Sequence, residues 1–173
     1  MASTRESGRL SVFDSAVRNL ALLAAVPLLA LCVPAPASAV AARPVRAAGL
    51  MSQVVTMTNQ QRHAHGCGQL VVDQDLVVAS ERQSWYMAAT RRFGHLGWGG
   101  STFEARARVA GYPEPAAENI AWGYRTAREV VAAWMASPAH RANILDCTTR
   151  SIGTGVTYAA DGTPYYTEVF GRL

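Results

Sequence analysis

An α+β domain is predicted, with helices packed on a small, mainly antiparallel sheet, and three observations predict it. Helix signals occupy the middle of the chain, over residues 51–145. Alternating and aromatic-rich runs come last, over 152–158 and 165–170, and alternation marks a strand with two unlike faces. Asp161-Gly162 between those runs is a hairpin turn signal. Helices first and antiparallel strands mainly last describe the α+β class.

The amino-terminal segment reads as an export signal. Arg5, Arg9 and Arg18 precede an apolar run over 20–33, and Ala37-Ser38-Ala39 comes directly after it. Positive charge, a short apolar stretch and small residues at a cut point make a secretory signal peptide. The run is broken by Pro27 and falls short of the roughly 20 apolar residues that cross a bilayer. The expectation is a signal peptide over 1–39, removed after Ala39, with no transmembrane segment in the mature chain. An uncleaved anchor, favoured by the long polar lead, is the rival reading. A lipoprotein is disfavoured by Leu31, which stands before Cys32 where a small residue is expected. On each reading the domain works outside the cytoplasm.

The remainder of the chain has the size of one globular domain, ~100–150 residues. Hydrophobic residues make up 50% of the sequence, enough to build a core. The net charge of +4 is mild, and the arginines are scattered with no basic run interleaved with aromatics. There is no electrostatic case for nucleic acid. With Cys32 in the signal, Cys67 and Cys147 remain as an even pair, expected to form a disulfide in an oxidising compartment. Closing so long a loop contributes about 4–5 kcal/mol on the chain-entropy model. Two buried free thiols are the alternative.

Residues 40–50 are Ala, Arg and Pro without periodicity and read as a linker, leaving 51–173 as the folded domain. Met51, Val54, Val55 and Met57 suit a first helix over 51–65, closed by Gly66. Leu76, Ala79, Gln83, Tyr86 and Met87 mark a second over 75–92. Gly94 is expected to stop it and to leave His95 in a Gly-rich loop, Gly97-Trp98-Gly99-Gly100. Thr126 with Glu129 is a capping box opening a third helix, with Val130, Val131 and Trp134 on its buried face. Ser137-Pro138 ends it and caps a short helix over 139–145, with His140 on the opening turn.

Several catalytic signatures are missing: no Gly-x-Ser-x-Gly elbow, no His-Glu-x-x-His, no phosphate-binding glycine loop and no Cys-x-x-Cys pair. Four histidines carry most of the remaining chemistry: His63, His65, His95 and His140. An imidazole binds a divalent metal through one nitrogen, and a nearby carboxylate completes the site or orients the ring. His95, Glu118 and His140, each just outside a helix or on its first turn, are candidates to converge that way. A buried hydrogen-bond network that ties loops together is the other reading of the same three residues. His63, His65 and Cys67 resemble a ligand cluster, but residues two apart on a helix point different ways. They read as a solvated helix end.

A longer pattern carries a resemblance. Its landmarks are Asn59 with Arg62, Leu70 with Asp73, Phe93-x-His95, Gly100, Arg106, Gly111-Tyr112 and Ala117-Glu118-Asn119-Ile120-Ala121. They continue through Trp134-x-x-Ser137-Pro138-x-His140-Arg141-x-Asn143-Ile144-Leu145, Ile152-Gly153-x-Gly155-Val156 and Tyr166-Thr167-x-x-Phe170-Gly171. Over residues 54–172 the chain resembles the bacterial branch of the CAP superfamily, the SCP-like extracellular domains. That family includes cysteine-rich secretory proteins, antigen five and pathogenesis-related proteins. The resemblance implies a three-layer α-β-α sandwich with a central cleft. It also implies a cleft tetrad of two histidines and two glutamates, whose histidines bind zinc or another divalent ion in some members. His95 and His140 match the histidines and the metal positions, and Glu118 matches one glutamate. The other glutamate falls at Ser137, so the tetrad is incomplete, which weakens the charge balance of any metal site. Asn119 belongs to the same cleft set. Glu168 stands where relatives often carry glutamine and is expected to add acidity to the cleft. Trp134, Trp122 and Tyr166 read as core or cleft wall, and Arg106 as a structural bridge.

Two functions of different classes are consistent with this pattern. The first is an extracytoplasmic binding module whose cleft holds a small, lipidic or cell-envelope ligand, with or without a divalent ion. The second is a metal-dependent hydrolase in which His95 and His140 hold the ion and Glu118 acts as general base. Two protein ligands and a lost glutamate make a poor catalytic cage, so binding leads.

Overall fold

The computed structural model describes residues 37–173, with side chains from Arg46 onward. The signal peptide read over 1–39, Cys32 included, lies outside the described residues except for Ala37, Ser38 and Ala39, which open α1. Among the described residues no helix is long and apolar enough to cross a membrane. In residues 37–173 five α-helices and four strands succeed one another as α1 (Ala37–Ala64), β1 (Val71–Val72), α2 (Gln74–Thr90), α3 (Phe103–Ala110), β2 (Pro115–Trp122), α4 (Ala127–Ala136), α5 (Pro138–Ile144), β3 (Ser151–Tyr158) and β4 (Pro164–Gly171). A 3-10 turn, Trp98–Gly100, lies between α2 and α3.

The sheet runs in the order β1-β3-β4-β2, with β1 parallel to β3 and the other pairs antiparallel. Alternation along β4 divides the core in two. Tyr166 and Phe170 join Leu50, Val54, Val130, Trp134 and Ile144 beneath α1, α4 and α5. On the other face Val169 meets Leu76, Ala79 and Ala107 of α2 and α3, and Tyr165 meets Met87 and Ile120. Helices therefore cover both faces, and every residue of β4 is buried. The fold is the expected α+β sandwich of three layers.

Its elements depart from expectation in four places. The segment read as a linker over 40–50 is already helical. Alanine is the strongest helix former, and Ala47 and Leu50 pack on the core, so α1 begins well before Met51. Next, α2 is ended by Arg91 at φ 61, whose N–H returns to the Met87 carbonyl, and not by Gly94. A helix that no strong periodicity announced, α3, opens on Thr102, whose hydroxyl accepts from the Ala105 N–H at 3.3 Å. Finally, β2 covers Pro-Ala-Ala-Glu-Asn-Ile-Ala-Trp, which holds few strand formers; pairing with β4 from Pro115 to Trp122 overrides local preference. Two expectations hold closely. Both halves of the Thr126–Glu129 capping box are made, and Asp161-Gly162 turns the β3–β4 hairpin with Gly162 at φ 87.

Two polar devices hold the layers. Arg62 is completely buried at the end of α1, and its guanidinium donates to Gly68 O, Ile144 O, Asp146 O, Thr149 Oγ1 and Thr149 O over 2.8–3.1 Å. The Cys67–Cys147 disulfide closes the same junction, with Cα atoms 5.0 Å apart across a sequence separation of 80. On the opposite face α2 lies directly on β3. Ser80 Oγ and Ser84 Oγ donate to the carbonyls of Gly153 and Gly155 at 2.9 and 2.8 Å. A Cβ at Gly153 would run into the α2 backbone at Leu76 and Val77, and one at Gly155 would meet Ser80 and Glu81. We predict that Gly153→Ala lowers stability by about 3 kcal/mol or more, because a helix backbone has no way to yield. Thermal unfolding checks this, and a variant as stable as the parent would disprove the tight seat of α2.

Candidate functional site

The site grows from β2. Consecutive strand residues face opposite ways, so Glu118 points toward α3 while Asn119 points toward α1. Glu118 is 4% exposed, and both of its oxygens are held. Oε2 accepts from Arg106 Nη2 at 2.5 Å and Oε1 from His95 Nδ1 at 2.9 Å. Arg106, buried on α3, also donates through Nη1 to Ser101 O at 2.6 Å and His95 O at 3.1 Å. One guanidinium thus fixes the carboxylate and both ends of the loop that carries His95. The expected bridging role of Arg106 is met.

Because the carboxylate can only accept, His95 donates through Nδ1, which leaves Nε2 facing outward. The His95 side chain is 54% exposed. Its hydrogen bond to Glu118 holds the imidazole above its ordinary pKa, against the opposing pull of burial. An open cleft of about 450 Å³ lies here, lined by His95, Leu96, Phe103, Ala117, Glu118 and Asn143 among others.

His140 stands half-buried on α5. Burial lowers its pKa, and the charge on His95 lowers it further, so the two rings share one electrostatic neighbourhood. The helix is clipped to β2 through amides. Asn119 Nδ2 donates to His140 O at 3.1 Å and to Glu168 Oε1 at 2.9 Å, while Asn143 Nδ2 donates to Asn119 Oδ1 at 2.8 Å. Asn119 is fully buried and acts as this clip, away from the cleft surface. Ser137 provides the backbone turn before α5, and its side chain makes no capping bond, contrary to expectation.

Glu168 does not face the cleft. Its partner across the sheet is Asn119, and it shares that residue's face, completely buried against Thr58 of α1. Register decided this, because one step along β4 would have turned it to the other layer. Burial pushes its pKa up to about 7, against the help of Asn119 and Thr58. Trp134 and Tyr166 are core, the indole N–H donating to Ile120 O at 3.0 Å and the phenol to Tyr124 O at 2.6 Å. Trp122 is not; it is 54% exposed and stacks on Tyr165. His63 and His65 are exposed at the end of α1, as expected.

A resident zinc ion fits these residues poorly. Among the described residues no three His, Cys, Asp or Glu side chains are grouped to hold a metal. Glu118 is buried and ion-paired with Arg106, which leaves His95 and His140 of the expected set, fewer than the three ligands a catalytic zinc needs.

The family model of the cysteine-rich secretory protein family, CAP, matches residues 55–170. The chain belongs to the CAP family. The uncharacterized protein YkwD of Bacillus subtilis is 34% identical over 121 residues, which are 69% of this chain and 46% of YkwD. The chain therefore spans about half the length of that relative. An extracellular protein of Bacillus anthracis containing an SCP domain superposes with a TM-score of 0.65 at 26% identity, over 73% of this chain and 41% of that one. An outer surface protein of Borrelia burgdorferi gives 0.64 at 21% identity, over 70% and 91%, and shares the fold. The CAP resemblance found His95 and Glu118, which the structure joins. It did not indicate Leu96 or Phe103 as walls; Thr102 and Gly111, flanking α3, were the available signal.

These environments fix two expected outcomes. In an NMR titration His95 should titrate above and His140 below the ordinary imidazole range. Glu118→Gln should bring His95 down, and His95→Ala should bring His140 up; unmoved values would break the coupling between the rings. For Glu168, the raised folded pKa means the folded state binds the proton more tightly. Its contribution is full below pH 4.5 and is lost as pH rises to about 7. Glu168→Gln should therefore be more stable than the parent at pH 8, by roughly 3 kcal/mol, with little difference at pH 4. Chemical denaturation at the two pH values measures it, and equal gains at both would refute the assignment.

Proposed function

We propose that this chain is an exported CAP-domain binding module whose His95–Glu118 cleft takes a small, lipidic or cell-envelope ligand. The carrying observation is the engagement of Glu118. With Oε1 on His95, Oε2 on Arg106 and its side chain 1% exposed, the carboxylate orients an imidazole from beneath the surface, out of reach of a substrate-bound water. A hydrolase built on Glu118 as general base would need that buried carboxylate to reach a water in the cleft, which tilts the reading toward binding. The cleft supports it further. A few polar groups, His95, Thr102, Glu104 and Asn143, stand among Leu96, Phe103, Ala116 and Ala117, the usual make-up of a ligand site. Export is supported by the charged, apolar and small-residue succession over 1–39, and by the extracellular description of the Bacillus anthracis relative.

Two measurements test the reading. In zinc calorimetry, neither the parent nor the His95→Ala, His140→Ala double variant should show saturable micromolar binding. Micromolar binding by the parent alone would replace this proposal with a metal site. In the second, the purified chain is incubated with a cell-envelope lipid extract and the retained species are read by mass spectrometry. His95→Ala should retain about tenfold less, corresponding to the loss of one charged hydrogen bond. Equal retention at equal melting temperature would remove the cleft from the binding event.

A further inference from the structure

The α2–α3 side of the molecule carries a second hollow, separate from the His95 cleft. Trp85 of α2 and Trp98 of the 3-10 turn meet with ring centroids 5.6 Å apart, and Tyr86 meets Trp98 edge-on at 5.2 Å. With Ala105 and Val109 of α3, the two indoles wall an open groove of about 410 Å³. These walls are uncovered, Trp85 being 55%, Trp98 54% and Val109 76% exposed. Apolar side chains grouped this way around a hollow mark a binding surface rather than scattered surface residues.

The groove is built, not a chance opening of a loose loop. Its floor is Gly97, where a Cβ would fall 2.7 Å from Gln83 Oε1 and 2.9 Å from Ser101 Oγ. The loop is pressed against α2 there, and Gly97 N–H donates to Ser101 O at 2.9 Å, which sets Trp98 in place. The charge on the walls is of one sign. The ionisable residues lining the groove are Arg82 and Arg106, with no carboxylate between them. Arg106 is neutralised by Glu118, whereas Arg82 has no ion-pair partner among the described residues. Aromatic and aliphatic walls beside one uncompensated guanidinium ask for an apolar body with an anionic head.

We propose that this groove binds a single-chain anionic amphiphile, its chain lying on Trp85, Trp98 and Val109 and its head group on Arg82. A volume of about 410 Å³ lies at the small end of ligand pockets, which suits one chain better than a two-chain lipid. The walls are concave, which suits a single molecule better than a flat bilayer surface. This site needs neither His95 nor His140 and stands apart from the cleft reading.

Calorimetry of the full chain with dodecanoate below its micelle concentration tests the proposal, with dodecyl maltoside as the uncharged counterpart. Saturable dodecanoate binding is expected, weakened about tenfold by Arg82→Ala, the loss of one charge-assisted contact. Trp98→Ala should abolish it, and Trp85→Ala, on the exposed side of α2, should weaken it even if Trp98→Ala disturbs the loop. Dodecyl maltoside should bind more weakly and be indifferent to Arg82. His95→Ala should leave the dodecanoate affinity unchanged, so failure of this groove and failure of the cleft are told apart. No saturable binding, or binding unaltered in both Arg82→Ala and Trp85→Ala, overturns the assignment. So does sedimentation with anionic phosphatidylglycerol vesicles without binding of monomeric dodecanoate, which would make this face a membrane-docking surface.

Discussion

The pairing of Glu118 with Arg106 is the interaction on which the functional face depends. A carboxylate sealed within a sheet is costly unless it is paired and hydrogen-bonded, and removing one partner of such a pair costs about 3–5 kcal/mol. Arg106 and His95 together meet that demand, and Arg106 also grips the carbonyls of His95 and Ser101 through Nη1, while its buried Nε–H has no partner among the described residues. The loop from α2 to α3 is thereby fastened at both ends to a residue that cannot move without exposing a buried charge. Two surfaces result: the polar cleft at His95 and the aromatic groove at Trp98.

Elsewhere the same economy recurs with neutral partners. Arg62, at the end of α1, gathers carbonyls from the loop after it, the end of α5 and the segment beyond, beside the disulfide. Asn119 and Asn143 bind α5 to β2 and so set the position of His140. These side chains serve as posts between layers whose apolar contacts are shape-tolerant, and directed hydrogen bonds restrict how the layers can slide. Glu168 is the exception in this set. It has two donors for a fully buried carboxylate, and burial keeps its pKa near neutrality.

The division of labour bears on function. A carboxylate buried behind His95 and Arg106 serves to orient its partners, and it makes an oriented imidazole available at the rim. The chemistry on offer is recognition: one exposed imidazole, the Asn143 amide, the Thr102 hydroxyl and the Glu104 carboxylate, set among apolar walls.

Local signals in the sequence determined much of this protein. Thr126 with Glu129, Asp161-Gly162 and the even pair Cys67 and Cys147 each became the predicted feature, because a cap, a turn or a cross-link is satisfied by a few named groups. The ordered motifs around His95 and Glu118 also pointed to the family and its cleft. Only the tertiary structure decided that the Ala-Glu-Asn segment is a strand, that Glu168 lies beneath α1, and that Glu118 is buried between His95 and Arg106. Those outcomes depend on which strand pairs with which and in what register. Such pairing is set by burial across the whole core, where residues far apart in sequence compete for the same space and the same donors.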